Sequence, residues 1–301
     1  SRRLDKRMNW LLEPFRHEFM QRALFGCALI GFTNGVLSCF IVLRRLALMA
    51  DAMAHSLLPG VAVAVLLFGL APSGLFFGAL VAALLVALGV QIISGSSRIK
   101  EDTSLGLLFA CSFSLGLVLL SFSPAQVNVT HYLFGNILGL ADSDLWIIYL
   151  ISLFVLPLLV LFQRPLVVIM FQPAIAATQG IWVKTLTYLL MGLLVLSMIA
   201  SLQAVGVILA LGMLIAPAAT IYLCSDSFPA MFWGGGLIGM FGSCAGLYLS
   251  YWLNLPSGAC IVLMLGLIFF LAYLFSPKYG VLPKVVRRRQ HFHETPAIHT
   301  L

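Results

Sequence analysis

Two side chains stand out for the chemistry they could do, Asp51 and His55. Both sit in an apolar stretch, Leu46-Ala-Leu-Met-Ala-Asp-Ala-Met-Ala-His-Ser-Leu-Leu-Pro-Gly60. The other nine acids lie in tails, links or the ends of apolar runs, as do His17, His131, His291, His293 and His299. A spacing of four puts Asp51 and His55 on one face of a helix. A carboxylate oxygen beside an imidazole nitrogen is half of a site for a divalent first-row metal. Neither group completes a coordination shell, but a second copy of the pair from a symmetry mate would. A buried Asp–His hydrogen bond is the plainer alternative. The cost of ionisable groups in an apolar medium weighs against it.

Pro59 and Gly60 follow at once. Proline has no N–H to give the carbonyl of residue 55, so a helix here is expected to kink and release that carbonyl. Gly60 lets a neighbouring helix come close. Broken helices beside binding groups recur in transporters.

The elements that carry these residues must be membrane helices. Of 301 residues, 61% are hydrophobic and 9% charged, and the mean hydropathy is +1.07. So little polar surface cannot coat a soluble globule. This excludes a soluble enzyme, a nucleic-acid-binding domain and a disordered chain. The expected class is an all-α polytopic membrane protein of about 8–9 spans. Apolar runs place helices near 20–43, 47–69, 74–94, 104–122, 145–162, 185–202, 204–223, 231–252 and 258–276. The tight turn at Leu202–Ala204 is the narrowest separation.

Charge gives the topology. Lys and Arg are absent from 46–97, 101–163 and 185–277. Cytoplasmic placement of Arg44–Arg45, Arg98–Lys100, Arg164–Lys184 and the basic tail gives nine passes with the N-terminus outside, or eight if the first run lies differently. Residues 1–19, where Trp10, Phe15 and Phe19 interleave with charge, read as an interfacial segment. Residues 20–277 form the transmembrane domain, with a cytoplasmic loop over 163–184. Residues 278–301 are a basic, His-containing tail. The six cysteines show no C-x-x-C spacing and read as small buried residues.

An energy source is missing from the sequence. There is no G-x-x-x-x-G-K-[ST] phosphate loop. Gly234-Gly-Gly-Leu-Ile-Gly239 lacks the lysine and reads as a close-packing helix face. His17-Glu18-Phe-Met-Gln21 lacks the second His of a zinc peptidase. An ion-coupled secondary metal transporter is the alternative class, with Asp51 as its one intramembrane carboxylate.

Several segments together resemble a known family. They are Trp10-Leu-Leu-Glu-Pro14, Val42-Leu-Arg-Arg-Leu-Ala-Leu-Met49, Asp51-Ala-Met-Ala-His-Ser-Leu-Leu-Pro-Gly60, Lys100-Glu-Asp-Thr-Ser-Leu-Gly106, Leu133-Phe-Gly-Asn-Ile-Leu138, Leu214-Ile-Ala-Pro-Ala-Ala-Thr220 and Ser276-Pro-Lys-Tyr-Gly280. The chain resembles the membrane permeases of zinc/manganese/iron ABC importers over nearly its whole length.

The resemblance implies a vitamin B12-importer-like permease fold, multi-pass in a bacterial cytoplasmic (inner) membrane. It implies a second permease chain, identical or paralogous, two cytoplasmic ATPase subunits and a metal-binding protein that delivers the cation. It implies no permanent cofactor and no nucleic-acid partner; manganese, iron or zinc is cargo. It maps metal ligands onto Asp51 and His55, and a further helix break onto Pro217. The coupling segment is Phe171-Gln-Pro-Ala-Ile-Ala-Ala-Thr-Gln-Gly180. It keeps the family's Pro173, Ala176 and Gly180 but has Gln172 and Ala174 where acids are usual. A short helix begun at Pro173 and stopped by Gly180 is expected, with docking through Phe171 and Ile175. Oxygen and nitrogen ligands without thiolate suit manganese, iron(II) or zinc and disfavour copper(I).

Overall fold

The computed structural model describes residues 17–44, 46, 52, 55–69, 71–96, 98, 101–122, 142–276, 278 and 280. Among these residues all regular structure is helical. The helices are α1 Glu18–Arg44, α2 Leu58–Phe68, α3 Pro72–Ser96, α4 Glu101–Ser121 and α5 Asp142–Phe171, then α6 Pro173–Thr178, α7 Val183–Val205, α8 Val207–Cys224, α9 Phe228–Leu253 and α10 Ser257–Phe275. Seven are long and apolar enough to cross a membrane; α2 and α8 are shorter and equally apolar.

Lipid tails are as apolar as leucine, so hydrophobicity cannot drive these helices together. Small residues and hydrogen bonds do. α1 and α9 meet through Gly31 and Gly35 facing Gly239 and Gly235. A Cβ on Gly31 would lie 2.5 Å from the Gly239 carbonyl oxygen, and one on Gly35 would lie 2.9 Å from Gly236 Cα. Ser38 ties a third helix in, accepting the Ala218 N–H of α8 at 3.0 Å while donating to the Gly35 carbonyl at 2.6 Å. Asn34, fully buried, accepts from Ser197 Oγ and donates to Ser201 Oγ, both at 2.6 Å, which joins α1 to α7. α1 and α7 are the most buried spans; α4 and α10 are the most outward-facing.

Three ion pairs show which helix ends lie together. Arg22 on α1 bridges Glu18 at 2.5 Å and Asp142 of α5 at 3.0 Å, so α1 and α5 begin on one face. Lys278 pairs with Asp226, so α10 ends beside the α8–α9 link. Four helices, α1 to α4, run between the first two starts, and two, α9 and α10, between the last two ends.

Three expected boundaries move. α5 runs through Arg164 to Phe171, so the link after it begins at 172 rather than 163. A lone arginine at a helix end can snorkel to the interface and need not stop the helix. The α7–α8 break lies at Gly206, not at Leu202–Ala204; its φ of +85° is one glycine adopts without strain. α8 continues through Pro217 without interruption, its next N–H taken by Ser38. α1 begins at Glu18, so the last two residues of the expected interfacial segment are helical. Residues 1–16, the segment 133–138 and the tail from 281 lie outside the described residues.

Candidate metal turn and candidate coupling helix

His55 and Ser56 are helical, Leu57 is a turn and α2 starts at Leu58. Pro59 therefore sits in the first turn of α2, where a missing N–H costs nothing, instead of kinking a helix interior. The break falls two residues before the proline. Leu57 keeps helical angles (φ −70°, ψ −22°), and its carbonyl accepts the Val61 N–H at 3.1 Å. Gly60 lies against Gly78 of α3, and a Cβ there would meet Ala82 Cβ at 2.6 Å.

The His55 imidazole is half-buried. Its centroid is 5.8 Å from the rings of both Phe109 and Phe113 on α4. Ser112, between them, donates to the Ser56 carbonyl at 3.1 Å. Nothing in sequence flagged these α4 residues, which look like any membrane-helix residues. Asp51 lies outside the described residues, so the structure positions only the histidine of the pair. Among the described residues no three His, Cys, Asp or Glu side chains gather into a metal-holding group. A groove of about 860 Å³ opens beside the turn, between α2, α3 and α4, with Pro59, Gly60 and Ser112 in its lining. Its walls are almost wholly apolar.

The segment 171–182 forms a second built feature. Pro173 opens α6, and the Ala176 N–H returns to the Gln172 carbonyl at 3.0 Å. The helix closes with paired bonds: Gly180 N–H to Ala177 O at 3.2 Å, and Ile181 N–H to Ala176 O at 3.0 Å. Gly180 takes φ +76°, the left-handed conformation this closure requires. Ala176 is fully buried against the bundle, while Phe171 and Ile175 are exposed. Trp182, four residues past the end of α6, is exposed as well. α6 thus presents an apolar outer face and is anchored by Ala176.

The model of the ABC 3 transport family matches residues 16–276. The manganese transport system membrane protein MntC of Listeria monocytogenes is 41% identical over 267 residues, 89% of this chain and 94% of that protein. A Haemophilus influenzae membrane protein named for iron transport is 37% identical over 268 residues, 89% and 97% of the two chains. Among solved structures, PsaBC from Streptococcus pneumoniae in complex with Fab superposes with a TM-score of 0.81 at 34% identity, covering 92% of this chain and 99% of that one. With nearly all of its helical bundle matched in sequence and in shape, the chain belongs to the ABC 3 transport family and is a multi-pass membrane permease of the metal-import type.

Proposed function

We propose that this chain conducts a divalent first-row metal, manganese or iron before zinc, across a bacterial inner membrane, passing it over Asp51 and His55. The observation that carries this is His55 on a broken helix, in a chain whose relatives are named for manganese and iron transport. One pair supplies about two ligands, fewer than the four to six such ions take. Two permease chains facing each other would supply the rest. A delivering metal-binding protein stands outside. Two ATPase subunits dock inside, on α6, through Phe171, Ile175 and Trp182. With no acid on that face, docking rests on apolar contact and responds weakly to ionic strength.

Reconstituted transport tests the whole reading. The wild-type complex should take up Mn²⁺ in an ATP-dependent way, and Asp51→Ala and His55→Ala should abolish uptake while the ATPase stays bound. Ile175→Asp should release the ATPase and spare metal binding. Wild-type uptake in both site variants would remove the site assignment. An ATPase retained by Ile175→Asp would remove the docking assignment. Uptake of zinc alone would reverse the metal order.

A further inference from the structure

The turn that carries His55 is held by α4 as much as by its own backbone. Between His55 and Pro59 the helical ladder is interrupted, and proline offers no N–H to mend it. Four α4 residues meet this gap. Ser112 donates to the Ser56 carbonyl at 3.1 Å. Phe109 and Phe113 flank the imidazole, at interplanar angles of 54° and 85°. Gly116 lies under Pro59, where a Cβ would sit 2.8 Å from the Pro59 nitrogen. Positions 109, 112, 113 and 116 are spaced three, four and seven apart, one continuous stripe of a helix. α4 is among the most outward-facing spans. The stripe is therefore a large part of what holds it to the molecule.

We infer that this stripe is the positioning element of the metal site: Phe109 and Phe113 limit the plane of the His55 ring, Ser112 fixes the peptide behind it, and Gly116 admits the Pro59 turn. None of the four is assigned to touch the cargo; they act through His55. The inference rests on the reading of His55 as a ligand. Its consequence is selectivity. Manganese binds most weakly in the divalent series, so a site must favour it by geometry rather than by donor strength. A loosened imidazole still binds zinc but loses the arrangement that manganese needs. Outer-shell supports of metal ligands are worth roughly 10–100-fold in affinity.

The test uses the assembled transporter with its ATPase, reading Mn²⁺ uptake against concentration, equilibrium Mn²⁺ binding by electron paramagnetic resonance, and Zn²⁺ competition. Ser112→Ala, and separately Phe109→Leu with Phe113→Leu, should raise KM and the Mn²⁺ dissociation constant by about tenfold. The maximal rate should stay near wild type, and Zn²⁺ should compete better. Ser112→Thr, which keeps the hydroxyl, should restore KM. Unchanged Mn²⁺ affinity in both variants, with His55→Ala inactive, overturns the inference and leaves the site reading standing. A fall in maximal rate at constant KM also overturns it, because the stripe would then serve the transport cycle. Normal Mn²⁺ binding by His55→Ala overturns the site reading and this inference with it.

Discussion

Where α1 meets α9, glycine faces glycine at two successive levels. Where α2 meets α3, one glycine pair touches, and a groove opens between α2, α3 and α4. At the first contact the Gly31–Gly239 and Gly35–Gly235 pairs bring backbone against backbone. Ser243 and Ser38 donate to the carbonyls of Gly239 and Gly35. Phe40 closes one end with edge contacts to Phe228 and Phe232 at 5.7 and 6.0 Å. At the second contact Gly60 and Gly78 touch, and a groove of about 860 Å³ lies alongside. The same device serves two ends. A seam closed along its length has no alternative packing and is scaffold. α2 is held to α3 at one glycine crossing and to α4 only at its first turn, with a groove alongside, so it can pivot there, and it is the helix that follows His55.

The largest effect should come from the seam. A Cβ on Gly35 would lie 2.9 Å from Gly236 Cα, valine adds two methyl groups to that, and the same two backbones are held together again at Gly31–Gly239, so they cannot part at one level alone. Gly35→Val should therefore prevent assembly of a folded chain, seen as loss of a monodisperse peak in size-exclusion chromatography. Overpacking of flexible core side chains costs only about 1–3 kcal/mol, so a Gly35→Val protein that purifies normally would show the seam to be as yielding as the α2 corner.

Much of this architecture is legible in sequence, and the gaps have a common cause. Apolar runs locate the seven long apolar helices and the two shorter ones. Pro59-Gly60, Pro173 and Gly180 are local signals, so their turns can be read without knowing any partner. Gly234–Gly239 is recognisable as a packing face, and so is Gly31-Phe-Thr-Asn-Gly35 by its glycines four apart, but nothing in either segment says that the two, about two hundred residues apart, pack on each other. Phe109, Ser112, Phe113 and Gly116 are harder still. In water an inward face is betrayed by its hydrophobicity. In a membrane both lipid and protein faces are apolar, so periodicity cannot say which side of α4 meets His55. The α5 boundary failed for another reason: charge marks the edge of the membrane, not the end of a helix.

A smaller effect is expected at the pivot. A Cβ on Gly60 would overlap the Gly78 carbonyl, at least as tight a backbone clash as at the seam, and meet Ala82 Cβ at 2.6 Å. Because the groove leaves space beside this crossing, α2 and α3 can part without disturbing the seam. Gly60→Ala should purify as a folded protein yet take up metal on the order of tenfold less efficiently, since a shift of about 1 Å in a ligand-bearing element is expensive. Equal losses of folding in Gly60→Ala and Gly35→Val would erase the distinction between the two corners.

The smallest effect should come from Asn34, and it separates scaffold from pathway most cleanly. A fully buried amide in a membrane protein is ordinarily a candidate for the conducting route. Here both ends are already used, by Ser197 and Ser201 of α7, and Ser201 donates in turn to the Ser197 carbonyl at 2.7 Å. With both ends of the amide engaged by α7, turning it onto a passing cation would break the bonds that join α1 to α7. Interhelical hydrogen bonds in membranes average roughly 0.6 kcal/mol, with about 1.7 at the upper end. Serine hydroxyls in helices can also fall back on their own carbonyls when a partner is removed. Asn34→Leu keeps the volume and deletes the bonds. Its cost should be about 1 kcal/mol, a fall of a few degrees in the thermal midpoint, with KM and maximal rate for Mn²⁺ uptake unchanged. Were Asn34 part of the route, the signs would exchange: the midpoint would hold and uptake would collapse. The boundary between scaffold and moving parts would then have to be redrawn through α1 itself.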